Sequence, residues 1–254
     1  MEKTVAKAFK VLETLAQSDG PRALGEIASD CNLTKSNAHR LLQTLSELHY
    51  VRQTPEARTY EATLRIWELG SAVVERFDIR STAAPHLHDL QEQTGESVHL
   101  SIFDNGDAVY IDKLDSKQAV GAYIRIGDRA PAFCTATGRA MLAYLGERAS
   151  ASACRDLSGR SGFSISTPEQ LDRALQDVRA RGYALTRGEW RPGVVGVAAP
   201  IRSRNGAVIA GIGAAGPADR MDADQVEKAA SATLAAAGAI SQALGFQPNE
   251  QRHL

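Results

Sequence analysis

Residues 34–40 read TKSNAHR, which places two hydroxyls, two cations, an amide and an imidazole within seven positions, and no acid occurs from Lys35 to Ser46. Lys and Arg bond guanine edges or phosphates, Asn pairs with adenine, and Ser or Thr takes either role. Thr34, Lys35, Ser36, Asn37, His39 and Arg40 are therefore candidate DNA contacts. The plainer alternative is a solvated helix face with a good cap. A second stretch, CTATGRA at 134–140, puts small residues at a helix start. Unpaired N–H groups and the helix dipole favour an anion such as a carboxylate there.

Two other chemistries can be weighed. Cys134 with His99 as base, or Glu189 as general acid, would suit an enzyme. Nucleophilic catalysis needs the base oriented by a third group, and the sequence has no recognised local signature of one. His86, His88 and His99 would suit a metal, but His86 and His88 are two apart on an expected helix, where ligand pairs need three or four. The expectation is no enzyme, no metal and no cofactor.

The whole chain sets bounds on these readings. Its 254 residues are 43% apolar and 23% charged, as in folded globular proteins. No run approaches the roughly 18 uncharged residues of a membrane span. The start, MEKTVAKAFKVLETLAQ, mixes charges with apolar residues where a signal peptide needs an unbroken apolar stretch. A cytoplasmic protein with no membrane partner is expected. Three cysteines, far apart and never in CxxC spacing, suggest neither a disulfide framework nor a zinc knuckle. The net charge of −1 carries no global mark of a nucleic-acid partner. Residues 1–60 hold eight Lys or Arg against seven acids, so local distribution must decide.

The elements around TKSNAHR suit its reading. Thr4 caps a helix with Val5, Ala8, Val11, Leu12 and Leu15 on one face, and SDGP at 18–21 ends it. A short helix runs from about Leu24 to Cys31, Asn32 and Leu33 turn, and Thr34 caps a third helix reaching about Leu48. YVRQTPEARTY then reads as a strand, a turn with Pro55 and a second strand. This order is that of a winged helix-turn-helix, whose third helix enters the major groove. Arg52 and Arg58 flank the wing's turn and would meet phosphate.

Residues 63–79 place Leu64, Trp67, Leu69, Val73, Val74 and Phe77 on a helix more apolar than one small domain can cover. Ser81 can cap a further helix to Thr94, stopped by Gly95. Strands are expected at Ser97–Phe103, Ala108–Leu114, Ala119–Ile124, Val194–Ile201 and Ala207–Ala214. Helices are expected from the Thr135 turn to Leu145, from the Thr167–Pro168–Gln170 capping box to Gly182, and over Ala223–Leu244. Hairpin-joined strands with helices laid against them give an α+β fold with an antiparallel sheet.

These residues resemble the IclR-type bacterial transcriptional regulators. The N-terminal likeness runs through VAKAFKVLETLA, LGEIASDCNLTKSNAHRLLQTL and the wing. It continues through ESVHLSIFDNGDAVYIDKLDS, GDRAPAFCTATGRAMLAYL, LDRALQDVRARGYALTRGEWRPGVVGVAAPI and NGAVIAGIGAAGP. The chain departs from the pattern at His49, where a Gly is usual, at Glu61 and Ala62, where a Leu-Gly pair is usual, and at Gly188-Glu189-Trp190, where two acids are common.

The resemblance implies a DNA-binding domain over 1–62, a linker helix over 63–80, a GAF-like effector-binding domain over 81–246 and a flexible tail over 247–254. It implies a homodimer, or a dimer of dimers, on a palindromic promoter site in double-stranded DNA. The effector set it implies is Thr135, Ala136, Thr137, Gly138, Arg139, Glu189, Trp190, Val194, Val195, Gly196 and Gly213. Thr186, Arg187, Ile212 and Ala214 stand beside them. The glycines would leave room, and Trp190, Tyr123 or Phe133 would wall in a small acid with an apolar or aromatic body.

Overall fold

The computed structural model describes residues 3–54, 57–74, 79–119, 121–154, 157 and 165–247. Pro55, Phe77 and all of the expected tail but Gln247 lie outside them, as do the side chains of Val73 and Val74. The chain divides into two units, Met1–Phe77 and Asp78–Leu254.

In the first unit, α1 (Lys3–Ala16), α2 (Leu24–Asp30) and α3 (Lys35–Glu47) bury Val11, Leu15, Ile27, Leu41, Leu42 and Leu45 against one another. The turn between α2 and α3 is held by two bonds, Leu33 N–H to the Ala28 carbonyl and Asn32 N–H to that of Ser29. Asn32 takes φ +54 there. The same pairing ends α3, with Tyr50 N–H on Leu45 and His49 N–H on Ser46. His49 takes φ +63, so this chain keeps with histidine a left-handed backbone that glycine would reach without steric cost.

Strands β2 (Val51–Gln53) and β3 (Thr59–Ala62) form the wing hairpin. A two-residue strand that the sequence did not announce, β1 (Arg22–Ala23), pairs with β3 and completes a three-stranded antiparallel sheet. The wing's exit is fixed by Thr63, whose Oγ1 donates to the His49 carbonyl at 2.6 Å. Helix α4 (Arg65–Val74) follows. Leu64, just before it, and its Trp67 and Leu69 are exposed by 76%, 69% and 46%, an apolar surface that its own unit does not cover.

The second unit is a six-stranded antiparallel sheet in the order β6-β5-β4-β9-β8-β7, with β4 Ser97–Asp104, β5 Asp107–Leu114, β6 Arg129–Pro131, β7 Ala184–Arg187, β8 Val194–Arg202 and β9 Val208–Pro217. Helices α5 (Ile79–Thr94) and α9 (Ala223–Ala243) cover one face, burying Leu87, Leu90, Ala236 and Ile240 on Leu100, Ile201 and Ile212. On the other face lie α6 (Ala136–Leu145) and α8 (Pro168–Arg181), with the short α7 (Glu147–Ala153) beside them. The Thr167 capping box opens α8.

Two expected elements differ. Ser81 does not cap α5 but lies inside it, because Ile79 and Ala83 both pack into the core and draw the helix start forward. Ala119–Ile124 forms no strand among its described residues; the edge beside β5 is taken by Arg129–Pro131. The alternation of buried Ala122, exposed Tyr123 and buried Ile124 resembles a strand's, yet here it packs a loop over a cavity.

Candidate DNA-binding helix and ligand cavity

On α3 the burial pattern separates two faces. Ala38, Leu41, Leu42 and Leu45 point into the core, while Thr34, Lys35, Ser36, His39 and Arg40 are exposed and Asn37 is half-buried. Thr34 is the N-cap, its Oγ1 accepting from Asn37 N–H at 3.3 Å, so part of its hydrogen-bonding capacity serves the helix. No ion pair among the described residues engages Lys35 or Arg40. In the wing, Arg58 is exposed at φ +49, whereas Arg52 Nε meets Glu61 at 2.5 Å. Arg52 is thus partly neutralised within the hairpin, which sequence spacing alone did not suggest.

In the second unit a cavity, part of it open to solvent, lies between the start of α6 and the sheet. Thr135, Ala136 and Thr137 line it from the helix start, Glu189 and Trp190 from the loop between β7 and β8, and Val194 from the first position of β8. Gly196 and Gly213 line it from the sheet, with Thr186 and Ala214. The glycines do more than leave space. A Cβ on Gly196 would stand 3.2 Å from the Ala136 Cβ, so its absence lets α6 approach β8.

Three residues of the expected set do not line this cavity. Gly138 serves packing, since a Cβ there would fall 2.3 Å from the Ala132 carbonyl oxygen. Val195 alternates onto the opposite sheet face, among Met221, Val226 and Ala229. Arg139 runs behind the wall, its Nε donating to the Phe133 carbonyl and its Nη2 contacting the Glu189 carboxylate. Arg187, Phe133 and Ile212 likewise lie off the lining: Phe133 is packed with Leu142 and Leu171, and Ile212 faces α5 and α9.

Among the lining residues that sequence reasoning had not placed here are Tyr110, Ala122, Ile124, Arg191, Val197, Ala215 and, weighed there only as a base or metal ligand, His99. Arg191 Nη1 donates to the Tyr123 carbonyl. No cluster of three His, Cys, Asp or Glu able to hold a metal occurs among the described residues.

The buried ionisable groups are strongly biased. Burial pushes the Tyr110 hydroxyl up to about 12, reinforced by Cys134 and opposed by the Arg191 cation and then by a weak hydrogen-bonding contact with Thr137. Burial lowers Arg139 to about 10, which leaves it cationic at neutral pH. Burial also takes His99 from 6.5 down to about 4, with Asp115 opposing, so its ring is neutral. An unfolded chain binds a proton at this residue between those two values while the folded chain does not. Stability is therefore full above pH 6.5 and lost as pH falls toward 4, by about 3 kcal/mol from this group. Denaturant unfolding at pH 7 and pH 4.5 measures it, and His99→Leu should show the smaller acid-induced loss.

Comparison with known proteins completes the site. The model of the IclR helix-turn-helix domain matches residues 4–55, and that of the bacterial transcriptional regulator IclR C-terminal domain matches residues 71–242. The HTH-type transcriptional regulator XynR of Escherichia coli is 33% identical over 96% of this chain and 98% of its own length. Among solved structures, the Thermotoga maritima IclR is 31% identical with a TM-score of 0.81, covering 97% of this chain and all (100%) of that one. An IclR homologue from Microbacterium hydrocarbonoxydans, solved with 4-hydroxybenzoate, is 25% identical with a TM-score of 0.84 over 95% of this chain and 99% of its own.

Proposed function

The chain belongs to the IclR family of bacterial transcriptional regulators and is a DNA-binding regulator, not an enzyme; from that premise we propose that its promoter binding is tuned by a small organic acid held in the cavity of the second unit. The observation that carries this reading is that cavity itself, formed where the first turn of α6, whose helix dipole favours an anion, meets a mostly apolar wall. The Microbacterium relative's complex with 4-hydroxybenzoate supports an acid of that general kind. The antiparallel sheet clad by helices on both faces supports reading residues 81–246 as a GAF-like domain.

Thr34 to Arg40 would read the major groove and Arg58 would meet phosphate, with Arg52 contributing less because Glu61 holds it. The apolar side chains of α4 support a linker helix that pairs two copies, giving a homodimer or a dimer of dimers on a palindromic site. Binding to promoter DNA would place the protein in the cytoplasm; no described helix is long and apolar enough to cross a membrane. The acid changes DNA affinity only by favouring one arrangement of the two domains, and DNA must then change acid affinity by the same factor.

Trp190 gives the test. In a Trp67→Phe background, titration with small aromatic and aliphatic acids should change Trp190 emission with at least one of them, and that acid should shift promoter affinity. Silence across the series would overturn the proposal.

A further inference from the structure

Two polar atoms on the cavity wall, His99 Nε2 and Thr137 Oγ1, make no hydrogen bond of good geometry among the described residues; Thr137 has only a weak contact with the Tyr110 hydroxyl, and the His99 ring one with the Ala122 backbone. Both residues are buried, with 6% and 5% of their surface exposed. Buried polar groups are nearly always satisfied, and one left unsatisfied is destabilising, so two on one cavity need a cause. They come from separate elements, His99 from β4 and Thr137 from the first turn of α6. Tyr110 packs edge-on against the imidazole, with ring centroids 5.6 Å apart and planes at 71°, which holds the ring's orientation.

The chemistry that fits is neutral. His99 stays uncharged because burial lowers its pKa to about 4, so it offers no counter-charge to an anion at neutral pH. A neutral imidazole nitrogen donates or accepts according to tautomer, and a threonine hydroxyl does both. A ligand hydroxyl, which gives one hydrogen bond and takes others, satisfies both partners at once. An anionic end has better company elsewhere, at the N–H groups opening α6 and at the Arg191 guanidinium.

We propose that His99 Nε2 and Thr137 Oγ1 form a neutral polar subsite that takes a hydroxyl of the ligand, so that the effector is a hydroxy acid and not a plain hydrocarbon acid. This rests on the reading of the cavity as the effector site. A subsite built to bond a hydroxyl rejects the analogue that lacks it, because its own buried groups are then left unpaired.

Calorimetric titration of the full chain with two matched pairs, 4-hydroxybenzoate against benzoate and lactate against propionate, tests this. In whichever pair binds, the hydroxy member should bind about 5- to 150-fold tighter. His99→Leu and Thr137→Val should each bring the two members toward equal affinity. No preference in the natural protein, or a preference that survives both changes, overturns the subsite.

Should none of the four acids bind, the acid reading of the cavity fails, and a ligand-free measurement still decides the subsite. Removing an unsatisfied buried group should raise the Tm of each variant by about 2–4 °C. A lowered Tm in both would make the two side chains structural and would overturn the proposal.

Discussion

Arg40→Ala should weaken binding to the promoter site by about 1–3 kcal/mol for each recognition helix engaged, about 5- to 150-fold per half-site. The side chain is exposed on the same face of α3 as Ser36, one helical turn away, and no ion pair among the described residues holds it back. Its charge is thus available to a guanine edge or a phosphate. The two uses separate by measurement. A base contact, once lost, relaxes sequence preference at one position, whereas a lost phosphate contact weakens all sequences alike and lowers the salt slope by about one. Fluorescence anisotropy on the promoter site and on base-substituted versions at two salt concentrations distinguishes them. Unchanged affinity and preference would remove Arg40 from the interface. The fold itself should not change, since Ala is a good helix former at an exposed position.

The second large effect concerns stability. Glu189→Ala should cost about 3–5 kcal/mol, because it strands the Arg139 guanidinium behind the cavity wall without its carboxylate. Arg139 is 4% exposed as a residue, and its remaining contacts are the carbonyls of Phe133 and Leu185. Replacing both partners by apolar residues of similar volume, Arg139→Met with Glu189→Leu, should cost far less, since no buried charge is then left alone. Denaturant unfolding of the single and double variants measures the difference. A double variant as unstable as Glu189→Ala would show that the pair holds the loop by geometry and not by charge compensation. The pair also ties the loop carrying Trp190 to α6.

The winged unit was legible in the sequence because its signals are local. Thr34 as N-cap, the leucines of α3 at helical spacing and the Asn32 turn each follow from neighbours a few residues away. Strand β1 escaped notice because two residues carry no period; only its pairing with β3 makes it a strand. The cavity was half-legible. The small residues of CTATGRA and the glycines of the sheet marked its place, yet Gly138 and Gly196 prove to serve close approach of chain to chain.

Arg139 lies off the cavity lining for a physical reason. A charged residue after a helix start suggests an anion contact, but its direction depends on Glu189, fifty (50) positions away, which draws it behind the wall. His99 and Tyr110 carried no local mark at all. Their meeting is a product of the register between β4 and β5, where Tyr110 pairs with Ser101, two residues from His99 on the same face. Alternation misled only at Ala122–Ile124, where period two reflects a loop crossing the cavity mouth and not a ladder of hydrogen bonds.

The most direct measurement is an anisotropy titration of this protein on DNA from upstream of its own gene, against random competitor, with and without the acid identified by Trp190 fluorescence. The account predicts preference for a roughly palindromic segment, a change of affinity when the acid is added, and an equal reciprocal change in acid affinity when the segment is present. Binding that never distinguishes that segment from random DNA, at any salt concentration and with any acid, would contradict it.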